Sequence, residues 1–509
     1  MTFARFFRSS ERKASVLMTI VTQISDPTEQ LRMAARADIA ALSYPDRAWL
    51  APKTAPDGTQ LLDCIIVGGG QSGVFTAAWL KREGVANVAV LDKASAGEEG
   101  PWLTFARMSE LRTPKLTIGN EFGIPHLSLQ HWYRARFGAA AWDAIERVPR
   151  NAWKAYIDWF AGTVGVAIEN NVSVTDIHEG PDGTIAVETR DHGLAKTRFA
   201  RAVVLATGFD GAGEWRVPDF IAEKLPRDVY DHSNGPIDFA RLRGQRVGVL
   251  GHGASAFDNA IAALSAGAAS AEVSFRRPRL PRTNPHRAIE TAGMMTHFPA
   301  LSDETRWQIA RFFRAKDQPP PVTSFNAALA LPGFCLRPGT PWQDVAMASD
   351  GTVMVKTPHG VLGYDHLILA TGAVTDLTAR PELTSLRERI VLWGERYQAP
   401  SEDADERLAA LPYLDDGYGF VANAPEYGWV ARVFAYNSLS MVSHGPHSTS
   451  ISGHRHGMPR LVRGVTRRLL LDMETDIVSD LRAYSSQDLP IPDDFEARLA
   501  LRPTEMIER

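Results

Sequence analysis

Twice along this chain a short apolar strand runs straight into a glycine-rich turn that opens a helix, and no other feature limits the fold as much. The first instance is Leu61-Leu62-Asp63-Cys64-Ile65-Ile66-Val67 followed by Gly68, Gly69, Gly70, Gln71, Ser72 and Gly73, a G-x-G-x-x-G pattern. The second is Arg246-Val247-Gly248-Val249-Leu250 followed by Gly251, His252, Gly253, Ala254, Ser255 and Ala256, a G-x-G-x-x-A variant. In such turns the first glycine makes the bend, the second lets a pyrophosphate approach the backbone, and the last small residue lets helix lie close on strand. The helix start then offers unpaired N–H groups and partial positive charge to phosphates. Two such units predict an α/β chain with two Rossmann-like dinucleotide-binding domains, the second inserted in the first.

The residues after each turn set the two sites apart. After the first, a strand over Val88–Leu91 ends at Asp92, an acid placed to accept from a ribose hydroxyl, with Lys93 beside it and Trp102 in the next loop. After the second, a strand over Glu272–Phe275 ends at Arg276 and Arg277, a pair suited to the 2′-phosphate of NADPH where an acid would favour NADH. Two Ala-Thr-Gly turns, Ala206-Thr207-Gly208 and Ala370-Thr371-Gly372, close apolar strands and let the chain pass near a cofactor. The expected cofactor contacts are Gly68, Gly70, Gln71, Ser72, Gly73, Asp92, Lys93, Trp102, Thr207, Gly208, Gly251, Gly253, Ala254, Ser255, Arg276, Arg277, Thr371 and Gly372.

Shifts of texture place an N-terminal arm at 1–60, with a helix around Asp26 to Leu42, and the first part of the first nucleotide domain at 61–235. The second nucleotide domain is expected at 236–345, the return at 346–470 and a helical tail at 471–509. A Pro-rich stretch from Pro332 to Pro341 marks the return. Strands over Val172 to Thr189 and Arg198 to Ala206, turned at Pro181-Asp182-Gly183, are repeated in layout over Val353 to Ala370. The basic, Ser-containing stretch from Met1 to Leu17 reads as an over-long start with Met18 the initiator, ahead of a transit peptide.

With 55 Lys and Arg against 59 Asp and Glu, the chain lacks the basic excess that a nucleic-acid track needs. Only Cys64 and Cys335 are present, so neither a disulfide framework nor a thiolate metal site is expected, and the C-x-x-C pair of disulfide reductases is missing. No apolar run reaches the roughly 20 residues of a membrane span, and a cytoplasmic location is expected.

With both loops and both Ala-Thr-Gly turns in view, the chain resembles the FAD- and NADPH-dependent class B flavoprotein monooxygenases, closest in motifs to their N-hydroxylating branch. Asp365-His366-Leu367-Ile368-Leu369-Ala370-Thr371-Gly372 is similar to that branch's signature, although the Tyr expected next is Ala373. Arg150, Trp153, Tyr156 and Trp159 match its Arg, aromatic, Tyr and Trp spacing, which is also that of an ordinary packed helix face. Tyr436-Asn437 followed by His444-Gly445 is similar to a stretch beside the flavin ring, and Leu111-Arg112-Thr113-Pro114-Lys115 to one that brings a Lys to flavin and substrate. His447, His454 and His456 lack carboxylate or thiol partners and read as helix-entry and surface histidines, so no metal is expected. The Phe-x-Gly-x-x-x-His motif of carbonyl and soft-heteroatom oxygenators survives only as His232-Ser233, with Pro226 and Asp228 at its other positions.

The resemblance implies an enzyme in which NADPH reduces FAD and the flavin captures O₂ as a C4a-(hydro)peroxide to oxygenate a small molecule, foremost the nitrogen of an amine or amino acid. Lys115, Asn437 and His232 are the expected positioning groups. The alternatives are sulfur or Baeyer–Villiger oxygenation, or an NADPH oxidase or flavin reductase with no organic substrate. Partners are then a small molecule and O₂, with a homo-oligomer left open.

Overall fold

The computed structural model describes residues 26–117 and 119–495; the readings at Met1 to Met18 lie outside them. The expected N-terminal helix spans Pro27–Ala41, and Asp26 caps it by accepting from the Thr28 N–H at 2.9 Å.

Two separate sheets carry the two glycine turns. The first runs in the order Val88–Leu91, Leu62–Val67, Leu194–Leu205, Ile185–Asp191, Val172–Glu179, and Val433–Ala435 also pairs with Leu194–Leu205. The pairings among Val88–Leu91, Leu62–Val67, Leu194–Leu205 and Val433–Ala435 are parallel, whereas Ile185–Asp191 and Val172–Glu179 join antiparallel. Leu62–Val67 is almost wholly buried, as an apolar strand covered on both faces must be. The expected turn forms at Pro181–Gly183, with Asp182 and Gly183 at positive φ.

The second sheet is parallel throughout, in the order Phe334–Arg337, Ser270–Ser274, Arg246–Leu250, His366–Leu369, Tyr230–His232. Beside it Asp344–Met347, Val353–Thr357 and Gly360–Tyr364 form an antiparallel sheet, and Val353, Val355, Tyr364, Leu367 and Leu369 share one buried cluster. The layout of the first half is thus repeated in the second.

The sheets part company with the expected boundaries at 235/236 and 345/346. Tyr230–His232 and His366–Leu369, expected in the first domain, flank and extend Arg246–Leu250 instead. The Pro332 to Pro341 stretch, read as a return, holds the edge strand Phe334–Arg337. The cause is visible at Asp365: its carboxylate accepts from the Arg246 backbone N–H at 2.8 Å and from the guanidinium at 2.6 Å, pinning this strand into the second sheet.

The described chain falls into two compact units, one ending at Thr466 and one starting at Arg467. Everything that follows lies in the first. Among the described residues no helix is long and apolar enough to cross a membrane.

Candidate active site

At the first turn Gly68 has φ +106°, and a Cβ there would sit 2.6 Å from the Ala206 carbonyl oxygen, so only glycine fits. A Cβ on Gly73 would likewise collide with the Gly68 carbonyl, which explains the third glycine of the motif. The helix Gln71–Arg82 starts at Gly70 with no side-chain cap, so its first N–H groups are free for an anion. Asp92 accepts from the N–H of Gly69 at 2.6 Å and of Ala94 at 2.7 Å. Burial raises its pKa, against those two hydrogen bonds. The acid therefore fixes the turn and also borders the cleft.

The second turn repeats the device. Gly251 has φ +140° and abuts the Ala370 carbonyl as Gly68 abuts Ala206, and the helix Ala254–Ser265 starts at Gly253 without a side-chain cap. Of the two arginines, Arg276 borders the cleft. Arg277 pairs with Asp317 at 2.5 Å, and Asp317 also holds His252 at 3.3 Å. Of the pair, Arg276 is thus open to the cleft, whereas Arg277 is committed to Asp317 in the wall.

One cleft of about 3270 Å³ is bordered by both turns, by Asp92, Lys93 and Trp102, by Thr207, Gly208, Thr371 and Gly372, and by Asn437. That is several times the roughly 300–1,000 Å³ of an ordinary ligand pocket. Two features fit it to extended dinucleotides: the uncapped helix starts, and the buried indole N–H of Trp102, which has no acceptor among the described residues.

The three expected positioning groups are placed differently. Asn437, 1% exposed, donates to Thr207 Oγ1 at 2.9 Å and accepts from the Leu439 N–H at 3.0 Å, locking the first Ala-Thr-Gly turn against the cleft. His232 sits behind the second such turn, its Nδ1 accepting from the Asn234 N–H at 3.2 Å and its Nε2 lying 3.5 Å from Thr371 Oγ1. Burial holds it neutral, with a pKa of about 4. Lys115 departs from the expectation: its ammonium donates to the Trp142 carbonyl at 2.7 Å, at the end of the helix Ala139–Ala144, and lies over the Trp142 ring. Helix carbonyls attract a cation there, so Lys115 closes that helix end and borders a small side cavity instead of the main cleft.

The aromatic spacing on the helix Arg150–Val164 is a packed face whose polar tips are all used. Trp153 donates to Gln71 Oε1 at 3.1 Å, orienting the residue after Gly70; Tyr156 donates to the Leu127 carbonyl at 2.9 Å, Trp159 to that of Thr28 at 3.3 Å, and Arg150 to that of Ala106. The same helix carries Lys154, buried between Glu99 at 3.0 Å and Asp158 at 2.6 Å.

The three later histidines are not a surface set. His447 bonds His286, and His456 bonds Thr296. His454 is fully buried, taking a hydrogen bond on Nδ1 from Asn120 Nδ2 at 3.2 Å and pairing through Nε2 with Ser72 Oγ at 3.1 Å. No metal-binding group of His, Cys, Asp and Glu forms among the described residues. His454, which holds Ser72 at the first helix start, and Asn120, which holds His454, had no local signal, because 382 residues separate His454 from Ser72.

Burial drives the pKa of His454 down to about 3, far below its ordinary value of 6.5. The unfolded chain therefore binds a proton below pH 6.5 that the native ring refuses, so stability present above pH 6.5 is lost as pH falls toward 3. The expected slope is about 1.4 kcal/mol per pH unit from this ring alone. Denaturant midpoints from pH 7 to 5 should fall in the wild type and fall less in His454→Gln; equal slopes would refute the assignment.

Residues 65–291 match the pyridine nucleotide-disulphide oxidoreductase family. The chain is 40% identical over 460 residues to a FAD-dependent urate hydroxylase of Xanthomonas campestris pv. campestris, covering 90% of this chain and 96% of that protein. Among solved structures, an ornithine hydroxylase from Pseudomonas aeruginosa is similar at TM-score 0.63 and 18% identity, covering 80% of this chain and 100% of that one. A cadaverine monooxygenase from Erwinia amylovora is similar at TM-score 0.61 and 17% identity, covering 85% and 99%. At such identities those two likenesses speak to the fold. Twin glycine turns on parallel strands, one cleft between them and a full-length relative at this identity together place the chain in the FAD-dependent hydroxylase family of flavoprotein monooxygenases.

Proposed function

We propose that the chain binds FAD at Gly68 to Gly73 and NADPH at Gly251 to Ala256, in a second nucleotide domain inserted in the first, and hydroxylates a small nitrogen-rich molecule. The observation that carries the reading is the single cleft bordered by both turns, which lets two nucleotides approach each other. Reduced flavin supplies the activation of O₂. The chain supplies binding and orientation: Asp92 and the free N–H groups of the first helix, Asn437 bracing Thr207, and Arg276 at the second site.

For the substrate, a purine-type heterocycle such as urate is favoured over an amine. Support comes from the Xanthomonas relative, and from the tasks that the amine-branch features perform here. Asp365 holds Arg246, Lys115 closes a helix end, and Ala373 replaces the tyrosine.

The test is NADPH-driven turnover in air with urate, alkylamines, amino acids, a thioether and a ketone, reading products by mass and peroxide released. Oxygenated urate supports the reading. Peroxide release that no compound alters would show an oxidase instead. An amine substrate must arrive unprotonated, so amine hydroxylation should rise with pH up to the amine's pKa.

Arg276→Ala should cut the preference for NADPH over NADH by roughly 10- to 100-fold, the worth of one charge-assisted hydrogen bond. The ratio of kcat/KM for the two nucleotides measures it. An unaltered ratio would remove Arg276 from the site.

A further inference from the structure

The cleft contains one polar cluster that neither nucleotide turn accounts for. His286, in the short helix Pro285–Ala288, places Nδ1 2.9 Å from Nε2 of His447, with the rings edge to face. His447 Nδ1 lies 3.9 Å from Glu290 Oε1, and Phe313 lies under the His286 ring at 4.3 Å between centroids. All three polar residues border the cleft. The His447 loop is fixed: Tyr436 donates to the Ser448 carbonyl at 3.1 Å, and Ser448 and Ser440 share a hydrogen bond at 3.0 Å beside Asn437. The pair thus spans from the residues that brace the first turn to the segment that follows the second.

A hydrogen bond between two neutral imidazoles needs one donor and one acceptor. Glu290 draws the proton of His447 to Nδ1, which makes its Nε2 the acceptor and His286 Nδ1 the donor. His286 Nε2 is then a bare lone pair, and no hydrogen bond to that atom forms among the described residues. Burial and the neighbouring His447 hold His286 down at about 4, and burial lowers His447 against the pull of Glu290, so both rings are neutral at pH 7. The other nearby charges lie on the elements packed around the pair. Arg306, Arg311 and Arg314 on the helix under His286 pair with Asp303, Asp403 and Asp405, while Arg455 and Arg460 act on His456. Arg287 borders the cleft beside His286.

We propose that His286 Nε2 accepts the proton that the substrate sheds as it is hydroxylated, with His447 and Glu290 as positioning residues. The inference rests on the hydroxylase reading above, and it holds for a heterocycle or an amine. As the substrate's electron pair forms its new bond to one oxygen atom, the O–O bond breaks and its electron pair leaves on the other atom, which ends as water; the substrate gains one unit of positive charge and its N–H becomes acidic. That N–H bond breaks, the proton moves to His286 Nε2, and the positive charge is shared with His447 and faced by Glu290. The proton leaves to water through the open cleft once product departs. A base that is neutral at pH 7 is ready for this step, and its low affinity for protons suffices because the donor has just gained a positive charge.

The test uses FAD-loaded protein with NADPH, urate and the amine panel. His286→Asn should keep its flavin spectrum and its NADPH oxidation, lose product formation by roughly 100-fold, the low end for a general base, and release peroxide instead. Added imidazole should restore product in the variant and do nothing to the wild type. His447→Gln, which keeps an acceptor for His286 Nδ1, should lose less than His447→Ala. Wild-type product per NADPH in His286→Asn, or no rescue, overturns the proposal. Nitrogen-15 NMR of the histidines, with His286 assigned by its loss in the variant, adds a readout that needs no substrate. Nε2 bare at pH 7 is expected, and a proton on Nε2 overturns the base even if no compound in the panel is hydroxylated. A wild type that oxygenates nothing, with Nε2 bare, would sink the hydroxylase reading and not the pair's tautomer.

Discussion

Gly70→Asp is expected to give a folded but colourless protein whose NADPH-driven turnover is down at least ~10³-fold. Folding survives because a Cβ at this position meets Gly100 Cα at an ordinary 3.5 Å, and because Asp is a favoured residue at the start of a helix, where Gly70 stands. Flavin binding does not, because the new carboxylate occupies the place of the pyrophosphate and claims the N–H groups meant for it. Like charges brought together at a buried site cost several kcal/mol, and about 4 kcal/mol is a thousandfold in affinity. The visible spectrum of the purified variant, with circular dichroism as the control for folding, decides the matter. A yellow, FAD-saturated Gly70→Asp would mean that this turn does not hold the phosphates.

The second large effect is on stability. Lys154, 3% exposed, is ion-paired with Glu99, whose other carboxylate oxygen accepts from the Gly97 N–H at 3.0 Å and from Asn170 at 2.7 Å. Burial opposes ionisation of Glu99, but hydrogen bonds from the backbone, Asn170 and Lys154 outweigh it and hold the carboxyl below its usual range. Lys154→Met leaves a buried carboxylate without its cation and is expected to cost roughly 3–5 kcal/mol. Replacing both partners, Lys154→Met with Glu99→Leu, should recover most of that loss. Urea titrations check both, and a single variant within 1 kcal/mol of wild type would show the pair to be dispensable. The sign of the pH dependence is fixed. The Glu99 contribution is present above its ordinary 4.5 and is lost as pH falls through its lowered value, whereas that of Lys154, whose pKa is raised, persists to above pH 10.5. Because Glu99 precedes Gly100, which faces Gly70, the single variant should also loosen flavin binding.

The glycine turns, their strands and the repeated hairpin layout were legible in the sequence because each is local: a few apolar residues, then small ones. The Asp365 to Gly372 stretch was legible as a motif, and its physical content differs from the resemblance. Asp365 is a fork for Arg246, and Ala370-Thr371-Gly372 supplies the carbonyl against which Gly251 fits, as Ala206 does for Gly68. Both belong to the shape of a glycine turn lodged against a neighbouring parallel strand, whichever substrate is oxidised. Lys115 shows the converse limit. The likeness of the Leu111 to Lys115 stretch to a family segment suggested a group at flavin and substrate, but the carbonyl of Trp142, 27 positions on, captures the ammonium. The His286–His447 pair joins positions 161 apart, so neither neighbourhood announces it. The domain limits were misplaced because strand partners, and not composition, decide sheet membership.

The hydrogen bond from His454 to Ser72 also sets an order of events during synthesis. Ser72 belongs to the opening strand and helix of the first sheet, yet its backing wall, His454 and Met458, lies 382 residues downstream. A nascent chain leaving the ribosome can form the glycine turn early, but that wall arrives only 382 residues later, and contacts of such span form slowly. A chain that terminates before His454 would therefore emerge with its nucleotide helix laid bare along the side that His454 and Met458 cover.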